Sequence, residues 1–289
     1  MVGAAGDPQT IARAAELVGR AEEITVLSGA GISTDSGIPD FRGPSGVWTR
    51  NPESQRLATL QEYLANPEVR RTSWRNRRDH PVWQAEPNAA HRALVDLECR
   101  GRLRAIVTQN IDGLHQDAGN DPALVLELHG TLHAVTCLSC GDRTPMTEAL
   151  ARVDAGEADP ACLRCGGILK SATISFGQRL DDTVFRAAAW AVSDCDLLMV
   201  IGSSLTVEPA AGLVRLAAES GTSVIIVNAD PTPYDRVADV LVRAPIGWAV
   251  PALIGPVAAH SASAADPSCT TCHDMGIALP RGGSGGCVQ

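Results

Sequence analysis

Lysine is nearly missing from this chain. Of its 289 residues 24 are basic, and Lys170 is the only lysine among them; the rest are arginine, a compositional bias with no function attached to it. A surplus of positive charge is missing too, because 33 acidic residues leave a formal net charge of −9. Nonspecific nucleic-acid affinity comes mainly from clustered cations that neutralise phosphates, so a phosphate-backbone binder is not expected. Long apolar runs are also absent: the longest, LLMVIG at 197–202, is far too short to span a bilayer. The N-terminal MVGAAGDPQT lacks a charged stretch followed by an apolar core, so a reducing cytoplasm is the expected compartment.

Cysteine, in contrast, is plentiful. The nine fall as two CxxC pairs (137/140 and 162/165), isolated Cys99 and Cys195, and a tail group at 269, 272 and 287. The length supports one large domain, or one carrying an insertion, without a disulfide scaffold. The pairs CLSC and CLRC, with 21 residues between them, have the spacing of a zinc ribbon, in which each pair forms a tight turn presenting two thiolates. Four thiolates from Cys137, Cys140, Cys162 and Cys165 complete a tetrahedral shell. The expected Zn2+ therefore has no open position and is structural, contributing to folding on the scale of about 10–16 kcal/mol seen for structural zinc peptides.

Along the chain, 8–23 has apolar residues at helical spacing, and ITVLSGAG follows as a β-branched strand closed by glycines. The strand signature recurs at 104–110, 124–130, 196–204, 223–229 and 239–244, with helical stretches between the later ones. This alternation predicts βαβ units and a mostly parallel, Rossmann-like sheet, with ligand at the carboxyl ends of its strands. Residues 8–50, 99–130 and 174–257 are assigned to that domain. A helical insertion at 51–98 and a zinc-binding insertion at 131–173 are expected to form a smaller lobe. The tail 258–289, rich in small and turn-forming residues, is expected to be disordered. Its CTTCH (269–273) superficially matches a c-type haem attachment motif; without an export signal, weak metal binding or no role is expected.

Polar groups gather where strands end. SGAGISTDSGIPDFRG (28–43) follows the first strand, with Gly29 and Gly31 suited to a tight turn whose amides can donate to a pyrophosphate, although Thr34 replaces the third glycine of GxGxxG. The same stretch presents Asp40, Phe41 and Arg42. TQNIDGLH supplies Gln109, Asn110, Asp112 and His115; GSS supplies Ser203 and Ser204; VNAD supplies Asn228 and Asp230. Any one of these reads equally well as loop capping, but a parallel sheet brings all four ends to one crevice. His129, at a strand's end beside Gly130, points toward that crevice. His133 has a structural or surface role, since cysteines fill the metal shell and 124–128 reads as strand rather than helix.

GAGIS, GIPDFRG, TQNIDGLH, LHG, the two CxxC pairs, GSSLTVEPAA and IIVN stand in the order of the sirtuin family. Over about residues 10–257 the sequence resembles these NAD-dependent protein lysine deacylases. The resemblance implies NAD between the two lobes and acyl-lysine entering the same cleft from the other side. Ala30, Gly31 and Ser33 with Ser203 and Ser204 would hold the diphosphate, and Asn228 the adenosine ribose. Ile32 and Asp112 would hold the nicotinamide carboxamide, Gln109 and Asn110 its ribose. Phe41 would screen the reacting face and Arg42 order the loop, while Gly29, Asp40, Trp48, Ile111, Gly202, Asp230 and Ile246 complete the cofactor set. His129 and Asn110 are the implied catalytic residues. An unperturbed histidine, with a pKa of about 6.5, is substantially neutral near pH 7, as a base acting on the ribose hydroxyls must be. The products would be free lysine, nicotinamide and O-acyl-ADP-ribose.

Substrate peptide is implied to pair as a strand between ISFGQ (174–178) and VEPAA (207–211), touching Ile174, Phe176, Gly177 and Val207. Gln178 stands where the family has glutamate. Sirtuins that remove succinyl or malonyl groups carry a Tyr-x-x-Arg pair before an EPNxxH segment. Counting back from EPNAAH (86–91) places Arg78 on that arginine and Arg75 on the tyrosine. The arginine run at 70–78 is thus either an acidic-acyl pocket or a solvated helix face. Acetyl removal is the leading expectation; mono-ADP-ribosyl transfer and a noncatalytic zinc-ribbon adaptor are the other readings.

Overall fold

The computed structural model describes residues 6–44 and 46–255. The expected tail at 258–289 and its CTTCH motif lie outside the described residues. Helix α1 (Pro8–Arg20) starts behind Asp7, whose carboxylate accepts the Thr10 N–H at 3.1 Å, and Pro8 costs nothing at a first-turn position that has no intrahelical N–H bond to lose. Strand β1 (Ile24–Ser28) follows. The next segment holds α2 (Val47–Arg50), α3 (Leu60–Ala65), α4 (Pro67–Arg78) and α5 (Ala89–Cys99). It leads to β2 (Leu103–Thr108), α6 (Leu114–Ala118) and β3 (Val125–Glu127). After them come β4 (Gly130–Cys137), β5 (Arg143–Pro145), α7 (Met146–Asp154) and β6 (Leu169–Thr173). The chain then runs through α8 (Asp182–Ser193), β7 (Leu197–Ile201), α9 (Gly212–Glu219), β8 (Ser223–Val227), β9 (Val240–Val242) and α10 (Ile246–Ile254).

Six strands form a parallel sheet in the order β3-β2-β1-β7-β8-β9. All five residues of β1 and of β7 are buried, as strands covered on both faces must be. Side chains alternate between two cores. Ile24, Val26, Met199 and Ile201 pack with Val18 of α1, Leu94 of α5 and Val250 of α10. Leu27, Leu198 and Val200 face the other way, onto Val192 of α8 and Val214 of α9. The order reverses beside β1, which has β2 on one side and β7 on the other, and the crevice outside their carboxyl ends is where such sheets bind ligand.

A smaller antiparallel sheet, β5-β4-β6, carries the cysteines. Its core joins Val135, Met146, Ala149, Val153 and Leu169 to Trp74 of α4, so the helical and cysteine-bearing insertions share one apolar cluster and form one lobe. The expected strand at 124–130 is two strands. β3 stops at Glu127, and Gly130, at φ +71°, turns the chain into the other sheet, where an added Cβ would collide with the Ala172 carbonyl oxygen. Among the described residues no helix is long and apolar enough to cross a membrane.

Candidate active site

A cleft of about 860 Å³ opens at the carboxyl ends of the parallel strands, within the size range of small-molecule and cofactor sites. Its walls take Gly29, Ala30, Gly31 and Ser33 from the turn after β1, and Gln109, Asn110, Ile111 and Asp112 from the loop after β2. His129, Gly202, Ser203, Ser204, Asn228 and Asp230 continue the same wall. The residues after β1 form a 3-10 helix, Ala30–Ser36. The amides of Gly29 and Gly31 do not await a phosphate: they donate to the carbonyls of Ile201 (2.9 Å) and Gly202 (2.8 Å). These glycines allow close chain approach, since a Cβ on Gly31 would lie 2.7 Å from the Gly202 Cα.

Side-chain bonds lock the three loops together. Ser33 Oγ donates to Asp112 Oδ2 at 2.7 Å, and Asn110 Nδ2 donates to the Gly29 carbonyl and to Ser33 Oγ, each at 3.2 Å. Gln109 Nε2 donates to Ser203 Oγ at 2.8 Å. Burial raises the Asp112 carboxyl above the usual carboxylate range, against the opposing pull of the Ser33 and Leu114 hydrogen bonds. The resulting donors (side-chain amides, hydroxyls and the Arg42 guanidinium) and carboxylate acceptors suit a sugar-phosphate ligand such as NAD.

His129 sits between β3 and β4. Its Nδ1 lies 2.9 Å from the Gln109 carbonyl oxygen. A carbonyl only accepts, so Nδ1 carries the proton and Nε2 keeps a lone pair. Burial lowers the imidazole below its ordinary pKa, more than the Gln109 bond raises it, and the ring stays neutral near pH 7. His133 is occupied differently. Its Nε2–H donates to the Asp112 carbonyl at 2.7 Å and its ring meets Trp83 edge-on at 5.7 Å, which anchors the 109–112 loop to β4.

At the cleft mouth Phe41 and Phe176 flank Trp48, at 4.6 and 5.5 Å between ring centroids, and Arg42 lies over the Trp48 ring at 4.5 Å. Phe176 is bracketed by backbone bonds with Ala58 and Leu60, and Ile174, Gly177, Val207 and Asp40 also line the cleft.

Four expected contacts are not among the lining residues. The Ile32 side chain is 1% exposed and belongs to the apolar core, and Ile246 packs against that core from α10. Arg78 pairs with its neighbour Asp79 on the exposed side of α4, and Arg75, also exposed, bonds Thr72. The arginine of this helix that lines the cleft is Arg77, beside Tyr63 and Lys170. Helical spacing carried this information: at 3.6 residues per turn, Arg77 falls between the buried Val69 and Trp74, whereas Arg75 and Arg78 do not. Lys170 is 3% exposed and donates to the carbonyls of Ser171 (3.2 Å) and Thr173; burial and the nearby Arg77 hold its pKa down to about 8.

Away from the cleft, the sulfurs of Cys137, Cys140, Cys162 and Cys165 lie within 4.8 Å of one another. The Cys137–Cys165 and Cys140–Cys162 pairs are at 3.5 and 3.8 Å. Tetrahedral Zn2+ with bonds of about 2.3 Å spaces its sulfurs by roughly 3.8 Å, so the cluster fits a structural zinc.

The Sir2 family's sequence model matches residues 29–209. An NAD-dependent protein deacetylase 2 of Streptomyces coelicolor is 55% identical over 231 residues, covering 80% of this chain and 96% of that protein. An NAD-dependent protein deacetylase of Thermodesulfovibrio yellowstonii is 40% identical, covering 81% and 90% respectively. Among solved structures, one described as "Structural Basis for the Mechanism and Regulation of Sir2 Enzymes" matches with a TM-score of 0.78 at 38% identity, over 86% of this chain and 97% of that one. Another, "Sir2-p53 peptide-NAD+", matches with a TM-score of 0.73 at 34% identity, over 80% and 92%. With the Sir2 family's model matched over most of the sequence and these identities along most of its length, the chain belongs to the Sir2 family.

Proposed function

We propose that this chain is an NAD-dependent protein lysine deacylase that removes acetyl groups and yields nicotinamide, free lysine and O-acyl-ADP-ribose. The observation that carries this reading is His129, neutral, lining the cleft, with Nδ1–H on the Gln109 carbonyl and Nε2 left as the base. NAD supplies an electrophilic ribose carbon as nicotinamide leaves, and its ribose hydroxyls receive the acyl group.

His129 takes a proton from a ribose hydroxyl at Nε2. The imidazolium that forms is steadied by the same Gln109 carbonyl, since a hydrogen bond strengthens when its donor is charged. Asn110, its amide nitrogen held by Gly29 and Ser33, leaves its side-chain oxygen for the nicotinamide-side ribose. Ile111 and Asp112 face the carboxamide, while Ser203, Ser204, Asn228 and Asp230 serve the diphosphate and adenosine half. Phe41 and Trp48 cover the reacting end and exclude water. Peptide enters between 174–178 and 207–211, pairing through backbone, and the acylated lysine reaches His129 from that side. The lobe division at 51–98 and 131–173 belongs to the same proposal, as does a cytoplasmic location. With a net charge of −9, proteins rather than nucleic acids are the proposed partners.

A second reading, removal of acidic acyl groups, is favoured by Arg77 and Lys170. Both line the cleft; Arg77 Nε has no hydrogen-bond partner, and Lys170 spends its protons on backbone carbonyls rather than on a carboxylate. Incubation with NAD and a panel of acetyl-, malonyl- and succinyl-lysine peptides, followed by mass spectrometry, tests both readings. Equal amounts of nicotinamide, free peptide and O-acetyl-ADP-ribose are expected. Nicotinamide released with ADP-ribose attached to protein, and with no O-acetyl-ADP-ribose, would favour the transferase alternative, and no NAD-dependent product would overturn the proposal.

A further inference from the structure

Two buried histidines behind the cleft have no part in the chemistry above. His91 of α5 is 0% exposed and His115 of α6 is 1% exposed, with ring centroids 5.1 Å apart and planes inclined at 61°. Each ring has one bonded nitrogen and one with no partner: His91 Nε2 and His115 Nδ1. Unpartnered buried polar atoms are rare in folded proteins, and here two lie on adjacent rings.

Counting protons shows that these two orphans match. His91 Nδ1 receives the Asn88 N–H at 3.3 Å, so the single proton of the neutral ring is on Nε2. Ser28 Oγ donates its one proton to Thr108 Oγ1 at 2.8 Å, so at 2.9 Å from His115 Nε2 it is the acceptor. His115 therefore carries its proton on Nε2 and a lone pair on Nδ1. One orphan is a donor and the other an acceptor. The opposite tautomer of His115 would leave both orphans as donors. Burial holds both rings neutral, His91 at about 4 with help from Arg92, and His115 at about 3 with help from His91.

The ends of this chain of bonds are tied to the two loops that build the cleft. Asn88, before His91, donates through Nδ2 to the Ile32 carbonyl (2.7 Å) and Ser36 Oγ (2.9 Å). At the far end Thr108 Oγ1 receives the Asn110 N–H at 3.0 Å. We propose that His91 and His115 are joined through one water into a proton-ordered chain from the Asn88 amide to the Asn110 amide. The chain sets the 28–36 loop against the 109–112 loop, which makes the two histidines positioning residues for the reaction.

The structural half of this proposal is independent of the deacylase reading; only its kinetic half rests on it. Long-range 1H–15N spectra of the full chain at neutral pH report the tautomers without any turnover. Expected are two rings fixed as Nε2–H, each with a bare Nδ1; a His115 with Nδ1–H, or rings averaging between tautomers, would overturn the chain. For the kinetic half, His91→Phe and His115→Phe are compared with the double variant. A chain is broken once, so each single change should lower kcat about tenfold and the pair no further. Unchanged kcat in either single variant, or losses that multiply, would overturn the positioning role. If a variant fails to fold, the tautomers in the unmodified chain still test the linkage, because an Nδ1–H on His115 would set two donors facing each other and break it. Failure of the unmodified chain to turn over at all would count against the deacylase reading instead.

Discussion

The two lobes hold themselves together in different ways. The large one buries a six-stranded parallel sheet between two helical layers, and its strands read as nearly continuous apolar runs. The small one has a three-stranded sheet, a short apolar cluster around Trp74, and four cysteines gathered at one point. A core that small cannot offset the entropy of ordering its loops without help, and the thiolate cluster supplies it through metal. The sheet is thus stable by burial, and the second wall of the cleft depends on an ion.

The sharpest way to break that contrast is to remove the metal. Chelation, or Cys162→Ser, should release one zinc per chain and abolish deacylation, while hydrogen exchange in β1, β7 and β8 stays slow. Equal loss of protection in both lobes would contradict the contrast. Next in size is Trp74→Ala, which empties the shared core of the small lobe. It should cost about 3–5 kcal/mol in denaturant unfolding of that lobe; a loss below about 1 kcal/mol would show that Trp74 does not join the insertions.

Acid should act on the large lobe through His91 and His115, which are buried neutral. Their folded pKa values, about 4 and about 3, lie below the unfolded value of about 6.5. The unfolded chain therefore binds more protons as pH falls. Stability is full above about pH 6.5 and drains as pH drops toward those folded values, by about 1.4 kcal/mol per pH unit for each ring. Protection of β1 and β2 amides against exchange should fall between pH 6.5 and 5, whereas pH-independent protection would show that the rings titrate normally. The smallest effect concerns the acyl end. Arg77→Met should lower turnover of succinyl-lysine several-fold relative to acetyl-lysine, and Arg78→Met should change neither. An effect of Arg78→Met would return the acyl end to the residue counted from EPNAAH.

Much of the large lobe was legible because a parallel strand buried on both faces leaves an unmistakable run, as in LLMVI of β7. The zinc cluster was legible because thiolate geometry demands CxxC. What was not legible depended on contacts between distant segments. Gly29 and Gly31 match a phosphate turn in sequence, yet their amides are spent on the end of β7, a strand some 170 residues away. Counting along the chain chose Arg75 and Arg78 over Arg77, because it ignored which face of α4 is buried. The pairing of His91 with His115 joins two motifs that nothing in the sequence links.

The division between His129 and His133 is the center of the account. One ring keeps Nε2 open in the cleft, and the other spends it on Asp112. The most direct measurement is single-turnover formation of O-acetyl-ADP-ribose by His129→Ala and His133→Ala, with zinc content and folding checked against the parent chain. A loss of at least roughly 10²-fold is expected for His129→Ala, the scale of general-base catalysis, and a smaller loss for His133→Ala. Near-parental turnover by a folded, zinc-loaded His129→Ala chain would contradict it.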